Sequence, residues 1–234
     1  MNSFHFKQFS IHHDLCAMKV GTDSVLLGAW ADCEKACTIL DVGTGSGILA
    51  LMAAQRNPSA QITAIEIDPS AVEQARINIS QSPWANRIEI QQADVRNWQS
   101  DAMFDCILCN PPFYSNGLLS PTAQRNQARQ TACLSFADLI QACAPRLTEN
   151  GTFHVIIPAE SCDEFSQLCW ENNLHALRKV WVHTKENKPS KRVLLSFSRA
   201  QCSYPMGEKL ILKDCNNEAT EEYQKLTGDF YLKF

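Results

Sequence analysis

Between the apolar run Thr38-Ile-Leu-Asp-Val42 and a helical run that begins at Ile48, the chain places Gly43-Thr-Gly-Ser-Gly47. The first run has the continuous apolar character of a strand covered on both faces, as in the middle of a parallel sheet. Glycines between such a strand and a helix let the backbone turn tightly. They also let it approach a ligand at the helix N-terminus, where free N–H groups favour polar or anionic partners. A glycine-rich loop alone is equally compatible with a dinucleotide. Asp41, just before Gly43, Gly45 and Gly47, discriminates: a carboxylate there suits a cationic ligand group and would repel a pyrophosphate.

The remaining pattern repeats this alternation of strand and helix. Residues 61–66 predict a second strand with Glu66 at its end, at a spacing from the glycines that suits a carboxylate bound to ribose hydroxyls. Asp68-Pro69 reads as the N-cap and first residue of a helix continuing to about Gln81. A third strand over 87–91 leads to Ala93-Asp94-Val95, where Asp94 is placed to accept from an adenine amine. A fourth ends at Asn110. It is followed by a polar stretch, 114–134, containing Arg125 and Arg129, longer than most connections in a compact domain and therefore expected to serve a site or be disordered. A helix over 135–147, a strand over 152–157 and a helix over 159–172 follow. Strands at 180–182 and 193–197 then enclose Lys185, Lys188, Lys191 and Arg192, four cations opposed within that span only by Glu186.

At the N-terminus, residues 4–13 alternate as a hairpin outside the main sheet would. Asp23 is expected to cap an apolar helical run, residues 24–30, that ends near Asp32 and covers one edge of the ligand cleft. In the tail, 209–213 and 228–234 suggest a further small hairpin. The whole reads as one α/β domain over residues 1–234, with an N-terminal hairpin and helix (1–34), a core (35–200) and a C-terminal extension (201–234). The expected core is a doubly wound, Rossmann-like fold with a seven-stranded, mostly parallel sheet, an antiparallel strand at its C-terminal end, and helices on both faces.

Composition narrows the function classes. At 45% hydrophobic and 20% charged residues the chain is ordinary for a soluble protein, and no run approaches the length of a membrane span. The N-terminus lacks the pattern of a secretory signal, so a cytoplasmic protein is expected. The eleven cysteines are odd in number and mostly within apolar periodic runs, and they read as reduced thiols. Cys106 and Cys109 would face opposite sides of a strand, and no metal site is expected. A net charge of −4 gives no global attraction to nucleic acid, so such binding would need a local patch.

The tetrapeptide Asn110-Pro111-Pro112-Phe113 ends the fourth strand. The prolines fix φ and bias the residues before them away from helix, which makes this backbone stiff and suited to aiming acceptors. With the upstream glycine loop, the tetrapeptide resembles the amine-methylation motif of class I S-adenosylmethionine-dependent methyltransferases. Phe6-Lys-Gln-Phe9, Cys16-Ala-Met-Lys-Val-Gly-Thr-Asp23, Leu26-Leu-Gly-Ala-Trp30 and Gln124-Arg-Asn-Gln-Ala-Arg129 resemble, more specifically, the bacterial valine-tRNA adenine-N6-methyltransferase family. That resemblance implies S-adenosylmethionine as cofactor and, as substrate, the adenine just 3′ of a tRNA anticodon. It also implies amine capture by the Asn110 side chain and the Pro111 carbonyl, with base stacking on Phe113. A monomer is expected, with Lys185, Lys188, Lys191, Arg192, Arg125 and Arg129 meeting the RNA backbone. The residues leave open guanine-N2 methylation of ribosomal RNA, glutamine methylation of a release factor, and a catalytically silent RNA-binding protein.

Overall fold

The computed structural model describes residues 3–16, 19–112, 134–201 and 207–233. Strands β1 (Ser3–His5) and β2 (Ser10–His12) form the N-terminal hairpin, followed by α1 (Thr22–Trp30). The first half of the core then runs β3 (Thr38–Val42), α2 (Ile48–Arg56), β4 (Gln61–Glu66), α3 (Pro69–Ser80), β5 (Ile88–Gln92) and β6 (Phe104–Cys109). Next come α4 (Phe136–Cys143), β7 (Leu147–Pro158), α5 (Cys162–Glu171), β8 (His175–Lys185) and β9 (Arg192–Ser198), then β10 (Glu208–Lys213) and α6 (Glu221–Thr227).

The main sheet has the order β10-β8-β9-β7-β6-β3-β4-β5. Of these strands β9 alone runs against its neighbours. The strand order reverses between β3 and β6, because β3 is followed in sequence by strands on one side and β6 by strands on the other. A reversal of this kind leaves a crevice at the carboxyl ends of the strands, where the two crossover helices diverge.

Alternation along the central strands explains why both faces are covered. Ile39, Cys106 and Leu108 join one buried cluster with Leu26 of α1, Leu51 of α2 and Ala75 of α3. Leu40, Val42, Ile107 and Cys109 join the other with Leu139 of α4 and Phe165 of α5. Cys106 and Cys109 thus lie on opposite faces, as their three-residue separation requires. Local chemistry sets the helix starts. Asp68 accepts from the Ser70 N–H at 2.9 Å ahead of Pro69, and Ser135 and Asp138 form a reciprocal capping box.

Several boundaries differ from the sequence expectation. The main sheet has eight strands, not seven: residues 208–213 pair parallel with β8 and extend its edge. They are not half of a hairpin with 228–234, whose contribution among the described residues is a bridge from Tyr231 to Phe6. Helix α4 stops at Cys143 and tightens into a 3-10 turn over Ala144–Arg146, because Pro145 has no N–H to continue the α-helical ladder. Strand β7 begins at Leu147 and absorbs Asn150-Gly151 in an irregularity opposite Phe104–Cys106. A Cβ on Gly151 would sit 2.8 Å from the Phe104 carbonyl oxygen. The helical cap of α1 is Gly21 with no side-chain bond, and Asp23 lies inside the first turn.

The N-terminal hairpin is tied down from two directions. Asn78 of α3 accepts from the His12 N–H at 2.9 Å and donates to the His12 and Ser46 carbonyls, each at 2.8 Å. On its other side Phe6 stacks on Phe9 and Tyr231, and Lys7 Nζ donates to the Gly228 carbonyl at 2.6 Å.

Candidate active site

A cavity of about 330 Å³ opens at the carboxyl ends of β3, β4, β5 and β6, where the strand order reverses. Gly43, Gly45 and Gly47 have φ of 68°, 55° and 84°, a left-handed backbone that other residues adopt only with strain. A Cβ added at Gly43 or Gly45 would meet nothing within 4 Å. Conformation, not crowding, therefore calls for glycine there, and the space beside the loop is open to a ligand.

Asp41 does not line this cavity. It is fully buried beneath the loop, where its Oδ2 accepts from the Thr44 hydroxyl at 2.5 Å and from the Ala50 N–H at 3.0 Å. Its Oδ1 has no hydrogen-bond partner among the described residues. Burial pushes its carboxyl up to about 7, against the opposing pull of the Thr44 and Ala50 bonds. Of the carboxylate expected to meet a cationic ligand group, Oδ2 is thus engaged in the loop-to-helix junction and Oδ1 is left without a partner among the described residues.

Glu66 does line the cavity. Its Oε2 accepts from the Gly45 N–H at 2.9 Å, and its Oε1 from the Ile67 and Asp68 N–H groups at 2.8 and 3.0 Å. A carboxylate offers about four acceptor positions, so these bonds hold its orientation and leave capacity for a ligand hydroxyl. Asp94 also lines the cavity, but Arg96 grips it, with Nε at 2.9 and 3.0 Å from the two carboxylate oxygens and Nη2 at 2.6 Å from Oδ2. Those hydrogen bonds hold the Asp94 carboxyl below its ordinary range. The expected single role for Asp94 becomes a shared one with Arg96, which also borders the cavity. Cys16 is a further wall residue, and neither it nor Arg96 was among the expected site residues, although the two-residue step from Asp94 to Arg96 is a usable signal.

Asn110 stands at the end of β6 on the cavity wall, with Pro111 buried behind it and Pro112 exposed beside it. Its Nδ2 donates to Ser24 Oγ of α1 at 2.9 Å. Its Oδ1 is buried and has no hydrogen-bond partner among the described residues. Phe113, Arg125 and Arg129 lie outside the described residues.

The basic residues of the β8–β9 connection divide. Strand β8 runs in the direction of β6, so Lys185 at its end lies on the same edge of the sheet as Asn110. Three inter-strand steps of about 4.8 Å separate the two strands, roughly 14 Å in all. Lys188 and Lys191 are exposed in the turn that follows. Arg192 is not a loop residue: it opens β9, and its Nε donates to Asp23 Oδ2 at 2.8 Å. Arg192, expected among the RNA-facing cations, is thus ion-paired with Asp23 while its side chain stays about one-third exposed.

Among the described residues no group of three or more His, Cys, Asp or Glu side chains is arranged to hold a metal ion, and no helix is long and apolar enough to cross a membrane. The family described as methyltransferase small domain matches residues 16–188. A tRNA1(Val) (adenine(37)-N6)-methyltransferase of Bacteroides fragilis is 44% identical over 235 residues, covering 98% of both chains. A protein of the same description from Phocaeicola vulgatus is 45% identical, covering 98% of this chain and 97% of its own. Among solved structures, a predicted O-methyltransferase from Agrobacterium tumefaciens superposes with a TM-score of 0.71 at 22% identity, covering 89% of this chain and 96% of that one. A putative RNA methyltransferase from Pyrococcus horikoshii gives 0.54 at 18% identity, covering 76% and 82%. At those identities the two structures speak for the fold alone. The chain belongs to the methyltransferase small-domain family, together with the tRNA1(Val) (adenine(37)-N6)-methyltransferases that it matches almost end to end.

Proposed function

We propose that this protein methylates the exocyclic N6 amine of an adenine in tRNA, the base just 3′ of the anticodon of a valine tRNA, with S-adenosylmethionine as donor. The observation that carries this reading is the Asn110 amide. Its nitrogen is turned away to Ser24, and its oxygen is left buried and unpartnered at the cavity wall. An unpaired buried acceptor is costly unless a donor arrives, and a planar exocyclic amine supplies one.

The residues present fit the cofactor. Open space beside Gly43 and Gly45, the spare acceptor capacity of Glu66 for ribose hydroxyls, and the Asp94–Arg96 wall suit a nucleoside with a polar tail. Bound there, S-adenosylmethionine would supply a sulfonium methyl: the S–C bond breaks as the N–C bond to the amine forms, the thioether leaves, and the methylated nitrogen gives up one proton to solvent. The Asn110 oxygen and the Pro111 carbonyl take the two amine protons in hydrogen bonds, which draws the nitrogen lone pair out of conjugation with the ring. Orientation then supplies most of the acceleration, an effect of about 7 to 11 kcal/mol in well-positioned systems. Asp41 acts at one remove by fixing Thr44 and the start of α2, while Lys185, Lys188 and Lys191 offer charge to the RNA backbone. Phe113 is assigned to stacking on the base, which already lies in a single-stranded loop and needs little unstacking.

The test is incubation with labelled cofactor and RNA from cells lacking the protein, followed by nucleoside analysis. N6-methyladenosine in valine tRNA is the expected product. Label in guanine of ribosomal RNA, or in no RNA, would refute the assignment, as would label in a release factor supplied in a parallel incubation. Asn110→Ala should lower turnover roughly 100-fold or more, by analogy with loss of one preorganised hydrogen bond at a reacting centre, with the dissociation constant of the cofactor nearly unchanged.

A further inference from the structure

Only the C-terminal two turns of α1 are anchored by burial. Val25 to Trp30 are buried, whereas Gly21 and Thr22 are exposed and the helix has no side-chain cap. Its first turn instead makes two bonds to distant parts of the chain. Asp23 takes the Arg192 guanidinium at 2.8 Å, and the next residue, Ser24, takes the Asn110 amide nitrogen at 2.9 Å. The Arg192 end is rigid, because its backbone is paired with Pro158 of β7 and Val182 of β8, and its Nη1 donates to the Lys191 carbonyl at 3.0 Å. We infer that the Asp23–Arg192 ion pair is a positioning device: it seats the first turn of α1 against Asn110, so that Ser24 holds the amide nitrogen and the oxygen stays unpartnered as the acceptor, and it links the β8–β9 connection to the amine acceptor.

The physical reason lies in the amide itself. Its two ends are nearly the same shape and opposite in hydrogen-bonding sense. An Asn110 released from Ser24 can turn its NH₂ toward the incoming amine, and a donor then faces a donor. This inference rests on the proposed function, since it assigns a role toward that reaction.

Asp23→Asn, Arg192→Gln and the exchange of Asp23→Arg with Arg192→Asp, each in the full chain, test it. The readouts are the single-turnover rate of methyl transfer to tRNA, tRNA affinity against salt, cofactor affinity and the thermal midpoint. Asp23→Asn is expected to slow transfer roughly 10- to 100-fold, the scale of a small misplacement of a reacting group, with cofactor affinity and thermal midpoint as in the parent. The exchange is expected to recover most of that loss. Transfer by Asp23→Asn at the parental rate overturns the inference, as does a loss accompanied by lower cofactor affinity or a collapsed thermal midpoint. It is equally overturned if Arg192→Gln weakens tRNA binding and flattens its salt dependence while Asp23→Asn changes nothing, since Arg192 would then be a phosphate contact. A parent chain that transfers no methyl to tRNA sinks the functional assignment itself, a result distinguishable from all of these.

Discussion

At Glu66 three backbone N–H groups converge on one carboxylate, from Gly45, Ile67 and Asp68. The side chain therefore fixes the glycine loop to the end of β4 and faces the cavity at the same time. We expect Glu66→Ala to weaken S-adenosylmethionine binding by about 1.5 to 3 kcal/mol, the scale for removal of charge-assisted hydrogen bonds. Titration calorimetry reads this directly, and an unchanged dissociation constant would move the ribose role to Asp68. Position at a strand end made Glu66 legible in the sequence. Its second grip, on Gly45, was not legible, because it depends on two loops from different strands coming within 3 Å. Asp41 gives the converse case. Its place before the glycines was readable, but only packing decided that its Oδ2 accepts from Thr44 and Ala50.

In the β8–β9 connection Lys188 and Lys191 are both exposed, and no ion pair to either is found among the described residues. Replacing Lys185, Lys188 and Lys191 together by glutamine should weaken tRNA binding and lower the magnitude of the log-affinity against log-salt slope. The change is at most about 0.7 to 0.9 for each phosphate that is no longer neutralised. Cofactor affinity should stay as in the parent. Unaltered tRNA affinity and salt slope would remove this turn from the RNA surface. Strands β3, β4 and β6 and helices α2 and α3 were readable from apolar runs, glycines and the Asp68-Pro69 cap. Strand β10 was readable as a strand but not as a member of the main sheet, since alternation along 208–213 carries no information about which edge it joins.

Across the molecule, the two ends of the chain meet. Phe6 bridges Tyr231, the Lys7 ammonium reaches the Gly228 carbonyl, and Phe230 is buried in the same cluster as Leu26 and Leu51. We propose that the N-terminal hairpin and the C-terminal segment unfold with the core as one domain. Phe230→Ala should then cost about 3 to 5 kcal/mol. For a chain of this size that lowers the thermal midpoint by roughly 6 to 20 °C, within a single calorimetric transition. A separate early transition, with the main one unmoved, would make the extension an independent unit.

The sequence by itself determined what is local: the strand–glycine–helix junction, the stiff Asn110-Pro111-Pro112 turn, the α3 cap and the opposite faces of Cys106 and Cys109. These follow from φ restrictions and side-chain periodicity, which act over a few residues. Tertiary structure alone decided the partners across long separations, namely Arg192 with Asp23, Ser24 with Asn110, Asn78 with both hairpin and glycine loop, and β10 with β8. A hydrogen-bonding side chain specifies what kind of group it needs but not which one. That choice is made when packing of the apolar faces brings distant polar atoms to bonding distance and removes the water that would otherwise have served.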